Sequence, residues 1–237
     1  MKLRSYKPRV KICCISGVAE AQMAIECGAD ALGLVSQMPS GPGVISDEVI
    51  AKIADIVPPT VATFLLTCRQ DAESIIQQQR QSRVNTLQLC DRVDEKCYRE
   101  LRKNLPGISL VQVVHVTGPE SFDESLRIAP QVDAILLDSG NQNLAIKELG
   151  GTGRRHDWAI SRQICDAVNV PVFLAGGLNS ENVQLAMRAV GSFGLDVCSG
   201  VRSNGLLDKS KLINFLAAIH DSQMIREANA TKLPSSY

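Results

Sequence analysis

Short apolar runs rich in β-branched residues alternate with longer amphipathic stretches along almost the whole chain. Each apolar run has the length of a strand, and the stretch that follows it has helical periodicity over roughly 10 to 13 residues. We count eight strand candidates, VKICCI, ALGLVS, TVATFLL, TLQLC, LVQVVHV, AILLDS, VFLAG and GLDVCSG. The clearest helices are SDEVIAKIADIV, DAESIIQQQRQS, DEKCYRELRKNL, DWAISRQICDAV, NSENVQLAMRAV and DKSKLINFLAAI. The pattern therefore predicts an α/β protein built from eight strand–helix units.

Strict alternation of strands and helices predicts parallel strands joined by right-handed crossovers. Eight units in 237 residues fit a single-domain (β/α)8 TIM barrel, and an open doubly wound sheet is the less favoured alternative. We assign residues 1–9 to an N-terminal extension, 10–220 to the barrel and 221–237 to a polar, frayed C-terminal tail. Ser46 and Asn179 are predicted helix N-caps, because acidic residues follow each of them closely.

Composition narrows the class of partner. Lys plus Arg and Asp plus Glu are equal at 25 each and no basic block stands out, so we expect neither nucleic acid nor a membrane as partner. No apolar stretch has signal-peptide or membrane-spanning length, and the eight cysteines form no zinc-like C-x-x-C pattern. We therefore expect a cytoplasmic protein with reduced thiols that acts on a small molecule.

Side-chain parity along the strands predicts which residues face the interior of the barrel. The apolar parity of VKICCI should pack against the helices: Val10, Ile12 and Cys14. The other parity should point inward: Lys11, Cys13 and Ile15. In three later strands the inward residues are Thr86, Gln88, Cys90, Asp138, Asp196 and Cys198, and Leu87 and Leu89 point outward. Because adjacent strand residues aim their sulfurs apart, we expect no disulfide between Cys13 and Cys14.

Two residues at strand ends are candidates for acid–base chemistry. Cys13 ends the first strand, where barrel active sites lie, and Lys11 two residues earlier could favour its thiolate form. An inert core thiol is the alternative for Cys13. Asp138 ends AILLD and could act as a general acid or cap the loop that follows it. His115 and His156 are interpreted as hydrogen-bonded structural histidines, since no nucleophile lies at a telling spacing from them.

Three glycine-bearing loops late in the chain read LGGTGRRHDW, LAGGLNSENV and CSGVRSNG. Glycine lets backbone N–H groups approach an anion, and the loops after strands 7 and 8 are the usual phosphate site of such barrels. Gly176 and Gly177 are therefore candidate phosphate ligands, and a helix beginning at Asn179 would add its dipole. A simple turn role is the alternative for these glycines. We expect the Gly- and Pro-rich loop over residues 37–45 to be a mobile lid.

These segments together resemble the phosphoribosylanthranilate isomerase family, from about Val10 to Ile219. KICCIS stands where the family has K-I-C-G-I-T, LLDS matches its aspartate-bearing strand, and GGTGRRHDW matches its G-G-T-G-x-x-x-D-W loop. LAGGLNSENV and DVCSGV match its L-A-G-G-L-x-x-x-N-V segment and its D-V-S-S-G-V strand end. The resemblance implies a TIM-barrel isomerase of tryptophan biosynthesis, a monomer or homodimer, with no metal or organic cofactor. Its reaction is an Amadori rearrangement of an N-phosphoribosyl aminobenzoate to an open-chain 1-amino-ketose.

The resemblance also implies roles for single residues. Cys13 corresponds to the general base at the ribose C2, and Asp138 to the general acid at the ring oxygen. Asp196 corresponds to the aspartate that holds the amino nitrogen. The other candidates for substrate and phosphate binding are Lys11, Gly151, Gly176, Gly177, Ser199, Gly200 and Arg202.

Three positions depart from the family pattern, all on the amine side of the substrate. Gly43 replaces an arginine that grips the anthranilate carboxylate, Cys90 replaces a histidine, and Arg202 replaces a glutamate. Either Arg202, Arg154 or Arg155 binds the carboxylate instead, or the substrate is a different N-phosphoribosyl amine. A non-catalytic barrel that binds a phosphosugar is a third hypothesis.

Overall fold

The computed structural model describes residues 7–230, with side chains described as far as residue 221. Eight parallel strands close into one barrel in chain order: β1 Arg9–Ile12, β2 Ala31–Val35, β3 Ala62–Thr67, β4 Thr86–Leu89, β5 Ser109–His115, β6 Ala134–Asp138, β7 Val172–Leu174 and β8 Gly194–Val197. The helices around them are α1 Val18–Glu26, α2 Asp47–Ile56, α3 Ala72–Ser82, α4 Glu95–Asn104, α5 Glu120–Ile128, α6 Trp158–Ala167, α7 Val183–Val190 and α8 Lys209–Ala230. The predicted TIM barrel is confirmed.

Two small elements complete the fold. A hairpin of β9 (Arg202–Ser203) and β10 (Leu206–Leu207) lies between β8 and α8. Short 3-10 turns at Ala129–Gln131 and Ser199–Val201 follow α5 and β8. Within the described residues, no helix combines the length and the apolar character that crossing a bilayer requires.

The strands separate two apolar layers, as side-chain parity predicts. Val10, Ile12, Leu87 and Leu89 belong to the outer layer between barrel and helices, and Cys90 lies inside the barrel. The inner layer is built mainly from apolar side chains of β3, β5, β6 and β7: Phe64, Leu66, Val111, Val113, Leu136 and Phe173. These side chains fill the barrel below its mouth, and active sites of such barrels lie at the carboxyl ends of the strands.

The prediction for the end of β1 is wrong. The strand stops at Ile12, and Cys14 has a φ of 62°, in the left-handed region. This turn reverses the parity, so the Cys14 side chain lies with the inner cluster and Ile15 packs with the outer one. Parity fails here because it holds only while the backbone stays extended.

The chain ends differ from the predicted boundaries. β1 begins at Arg9, inside the predicted extension, and α8 continues to Ala230, beyond the predicted start of the tail at residue 221. The remaining parts of the predicted extension and tail, residues 1–6 and 231–237, lie outside the described residues.

One predicted helix cap is confirmed and one is wrong. The Ser46 Oγ accepts a hydrogen bond from the Val49 N–H at 3.4 Å, at the start of α2. Asn179 does not begin α7, which starts at Val183. Its Oδ1 instead accepts from the N–H groups of residues 181 and 182 at 2.9 and 3.0 Å, closing a turn before the helix. The helix dipole therefore begins four residues later than predicted.

Candidate active site

A cavity that is partly open to solvent lies at the carboxyl ends of the strands. Seven of the predicted site residues line it: Cys13, Asp138, Gly151, Gly176, Gly177, Asp196 and Ser199. Lys11, Gly200 and Arg202 do not line it, although each contacts the residues or loops that do. The barrel thus brings the acid–base candidates and the glycine loops, which are far apart in the sequence, to one opening.

Lys11 lies buried beneath Cys13. Its Nζ donates to the Asp196 Oδ1 at 2.9 Å and lies 3.5 Å from the Cys13 Sγ. Burial alone would lower the pKa of Lys11, but the charge of Asp196 and then the thiol of Cys13 hold that pKa above its usual value. Burial raises the pKa of Asp196, and Lys11 opposes that rise. The Cys13 sulfur therefore lies beside a buried ammonium group that is already paired with Asp196.

Gly33 in β2 makes the space for this pair. A Cβ at position 33 would lie 2.8 Å from the Cys13 Sγ and 2.9 Å from the Lys11 Nζ. We did not select Gly33 from the sequence, although a single glycine inside the apolar strand ALGLVS is a signal for close approach of another group.

The two carboxylate oxygens of Asp138 differ in their hydrogen bonds. Oδ1 accepts from the Ser139 N–H at 2.7 Å, which is the loop-capping arrangement. No hydrogen bond reaches Oδ2 within the described part of the chain, and the residue lines the cavity. One oxygen therefore stays available to a ligand while the other fixes the side chain.

The glycine loop after β7 fits closely against the loops after β6 and β8. Gly177 has a φ of 64°, and a Cβ there would lie 2.8 Å from the Gly153 carbonyl oxygen. A Cβ on Gly200 would collide with the carbonyl oxygen of Leu178. Gly200 therefore lets the loops after β7 and β8 come into contact. Gly176 and Gly177 form part of the cavity wall.

Two more thiols line the cavity, Cys14 and Cys198, with their Sγ atoms 2.9 Å apart. Hydrogen bonds with the thiols of Cys13 and Cys198, and burial, raise the pKa of Cys14. The hydrogen bond between the two thiols lowers the pKa of Cys198 despite its burial. All eight cysteines are free thiols.

We expect oxidised glutathione to convert Cys14 and Cys198 into a disulfide and to abolish activity, because both sulfurs line the cavity. The two thiols lose two electrons and two protons, and glutathione disulfide is reduced to two thiols. Peptide mapping by mass spectrometry checks the linkage. Cys14→Ser should prevent it and Cys165→Ser should not. Oxidation that spares activity or links neither residue contradicts the expectation.

Arg202 is turned away from the cavity. Its guanidinium donates to the Glu20 Oε1 and Oε2, both at 3.1 Å, and to the carbonyl oxygens of Cys13 and Cys14. Its side chain is only 8% exposed, so it has no freedom to reach a ligand. Arg202, a predicted substrate-binding residue, therefore holds the backbone that follows β1 and does not line the cavity.

Glu20 is the buried partner that this arrangement depends on. Burial raises its pKa, but Arg202 and the backbone N–H groups of Leu207 and Ser16 lower it overall. Sequence reasoning missed Glu20 because its partner is 182 residues away.

We expect Glu20→Gln to lower the free energy of unfolding by about 1.5–3 kcal/mol at neutral pH, since hydrogen bonds to a charged group are lost. The folded-state pKa of Glu20 lies below the usual value near 4.5, so this contribution is present above that pH and is lost as pH falls through the folded-state pKa. Urea unfolding of wild type, Glu20→Gln and the exposed control Glu26→Gln, at neutral and acid pH, measures it. Equal stabilities of wild type and Glu20→Gln at neutral pH contradict it.

Neither predicted structural histidine lines the cavity. The His115 Nε2 lies 3.2 Å from the Cys90 carbonyl oxygen, and the His156 Nε2 lies 2.7 Å from the Ser161 Oγ. In both rings Nδ1 has no hydrogen-bond partner within the described residues. Burial lowers the pKa of His156. Over the same part of the chain, no three His, Cys, Asp or Glu side chains are grouped so that they could hold a metal ion.

Comparison with known proteins points in one direction. Residues 10–218 match the family model described as N-(5′-phosphoribosyl)anthranilate (PRA) isomerase. The chain is 39% identical over 210 residues to N-(5′-phosphoribosyl)anthranilate isomerase 2 of Methanosarcina mazei, covering 88% of this chain and 92% of that protein. The crystal structure of the isomerase from Thermotoga maritima is similar with a TM-score of 0.77 and 28% identity, over 90% of this chain and 99% of that one. A phosphoribosyl anthranilate isomerase in complex with reduced 1-(o-carboxyphenylamino)-1-deoxyribulose 5-phosphate is similar with a TM-score of 0.75 and 27% identity, over 90% and 99% of the two chains.

Proposed function

Because the chain belongs to the N-(5′-phosphoribosyl)anthranilate isomerase family, we propose that Cys13 and Asp138 catalyse an Amadori rearrangement of an N-(5′-phosphoribosyl) amine. The chain is a phosphoribosylanthranilate isomerase-like aldose–ketose isomerase, of a family whose reaction belongs to tryptophan biosynthesis. One observation carries the assignment of roles. A thiol beside a buried ammonium and a carboxylate with a free oxygen line the same cavity as the glycine loops after β7 and β8.

Asp138 is the proposed general acid. In its protonated form, Oδ2 donates its proton to the ring oxygen of the ribose, and the bond between C1 and that oxygen breaks. The lone pair of the amine nitrogen forms the C1=N bond of an iminium ion. The hydrogen bond from the Ser139 N–H to Oδ1 keeps the side chain oriented for this transfer.

Cys13 is the proposed general base. Its thiolate removes the proton from C2, the electrons of that bond form C1=C2, and the iminium nitrogen is neutralised. The resulting enaminol then gains a proton at C1 and loses the hydroxyl proton at C2, which leaves the ketone. The ammonium of Lys11 lies 3.5 Å from this sulfur and faces the negative charge that the thiolate carries in this step.

The remaining residues are proposed to hold the two ends of the sugar. Backbone N–H groups around Gly176, Gly177 and Ser199 bind the phosphate, with Gly200 allowing the loops to meet. Asp196 accepts a hydrogen bond from the amine N–H of the substrate, while Lys11 holds its other contact. Gly151 packs against the Pro42 ring and joins two loops over the cavity.

The test is a steady-state assay of the purified protein with freshly prepared N-(5′-phosphoribosyl)anthranilate and N-(5′-phosphoribosyl)aniline. We expect chromatography to detect the 1-amino-1-deoxyribulose 5-phosphate from at least one of them, at a rate far above that of Cys13→Ala. If neither substrate is converted faster than by Cys13→Ala, the proposal is wrong.

A further inference from the structure

We infer that the site selects an amine half that is uncharged and donates a hydrogen bond to the Gln88 side chain. The inference rests on the proposed function, and it names the class of amine that the site prefers. It predicts that the ortho substituent of an aryl amine is bound better as a neutral carboxamide than as a carboxylate.

The charge of the cavity wall is the first reason. Among the described residues that line the cavity there are two carboxylates, Asp138 and Asp196, and no lysine, arginine or histidine. A further carboxylate brought by the ligand would be desolvated near like charges and without a cation to pair with.

The lysine and arginine side chains near the cavity contact other protein groups. Lys11 is paired with Asp196 below the floor of the cavity, and Arg202 is held by Glu20. Arg154 binds Glu148, and the guanidinium of Arg155 lies 4.4 Å from the centre of the Trp158 ring. Lys147 binds Asp91.

Position 43, where the family has an arginine, has no room for a side chain. A Cβ on Gly43 would lie 2.5 Å from the Cys14 Cβ, and Gly43 has a φ of 82°. Cys14 and Gly43 therefore exclude a long side chain from this side of the cavity as long as both are present. The amine end is instead lined by apolar side chains: Val35, Met38, Pro42, Leu66 and Leu149.

Gln88 is the polar group in this apolar surrounding. It is 3% exposed and lines the cavity, and its Oε1 has no hydrogen-bond partner within the described residues. Its Nε2 faces the Cys90 Sγ at 3.8 Å. A buried amide oxygen without a partner is costly, so a ligand that supplies an N–H or O–H is favoured and an anionic oxygen is repelled.

The decisive experiment uses three stable ligands, made by reductive coupling of ribose 5-phosphate to aniline, 2-aminobenzamide or anthranilate. They share the phosphoribityl part and differ only at the ortho position. We expect calorimetry to give a dissociation constant for the 2-aminobenzamide ligand about tenfold or more below that of the anthranilate ligand, with the aniline ligand between them. Equal or tighter binding of the anthranilate ligand overturns the inference and leaves the proposed function standing. If none of the three binds, the proposed function fails, and the inference fails with it.

Two variants test the residues. Gln88→Leu should remove the advantage of the 2-aminobenzamide ligand over the aniline ligand and leave the affinity for the aniline ligand within about twofold of wild type. Cys14→Gly combined with Gly43→Arg should tighten binding of the anthranilate ligand about tenfold or more, because a guanidinium can then enter. An unchanged preference in Gln88→Leu, checked for native structure by circular dichroism, contradicts the role of Gln88.

Discussion

Cys13→Ala is expected to lower kcat by about 10²–10⁴-fold with either phosphoribosyl amine, because the general base at C2 is removed. The change should leave the affinity for ribose 5-phosphate almost unaltered, since the phosphate loops follow β7 and β8 and not β1. Cys13→Ser should be as inactive as Cys13→Ala, because a hydroxyl is a far weaker acid than a thiol and forms no anion at neutral pH. Steady-state kinetics and calorimetry with ribose 5-phosphate measure the two effects.

Cys165→Ala is the matched control, since it makes the same change in α6, outside the cavity lining. It should keep kcat within about twofold of wild type. A Cys13→Ala enzyme with more than a third of the wild-type kcat would show that the thiol is not the base. Lys11 and its neighbours would then be the place to look for another.

Asp138→Asn is expected to lower kcat by a similar factor, about 10²–10⁴-fold, with little change in KM. The amide preserves the shape of the side chain and can still accept from the Ser139 N–H, but it cannot deliver a proton to the ring oxygen. The loss should be smaller for a substrate whose ring opens more readily, such as one with a more basic amine. A kcat series over amines of different basicity separates this role from a purely structural one.

Ser139→Ala is the control for Asp138. It removes a side-chain contact with Asp138 at 3.4 Å and the hydrogen bond with the Thr152 hydroxyl at 2.7 Å, but keeps the backbone hydrogen bond that orients the carboxylate. We expect less than about a threefold change in kcat. An Asp138→Asn enzyme that stays within about tenfold of wild type would exclude Asp138 as the acid.

Periodicity in the sequence predicts the barrel well, because each strand–helix unit must bury an outer apolar layer and the period of each element is visible locally. The same alternation predicts that Leu87 and Leu89 face outward and that Cys90 faces inward. At Cys14 the alternation of inward and outward side chains ends, because its φ of 62° interrupts the extended backbone. No local sequence pattern indicates this change.

The contacts of Arg202 could not be predicted from the sequence for a different reason. The position of its guanidinium depends on Glu20, which belongs to the first strand–helix unit. The two side chains come into contact only when β8 pairs with β1. A residue predicted from the sequence to bind substrate can thus be held outside the cavity by a partner from another unit. The unpaired oxygen of Gln88 is likewise visible only when its surroundings are assembled.

The pairing of β1 with β8 ties Cys13, the proposed base, to the glycine loop after β8 through the backbone. Lys11 lies opposite Asp196 in this ladder, and the Cys13 N–H donates to the Val197 carbonyl oxygen at 2.8 Å. The amine end, in contrast, takes Met38, Pro42 and Leu149 from loops outside the barrel strands, and only part of its lining from β2, β3 and β4. After a gene duplication, a few mutations in these loops could therefore change the preferred substrate. The backbone pairing that holds Cys13 beside the loop after β8 would stay intact.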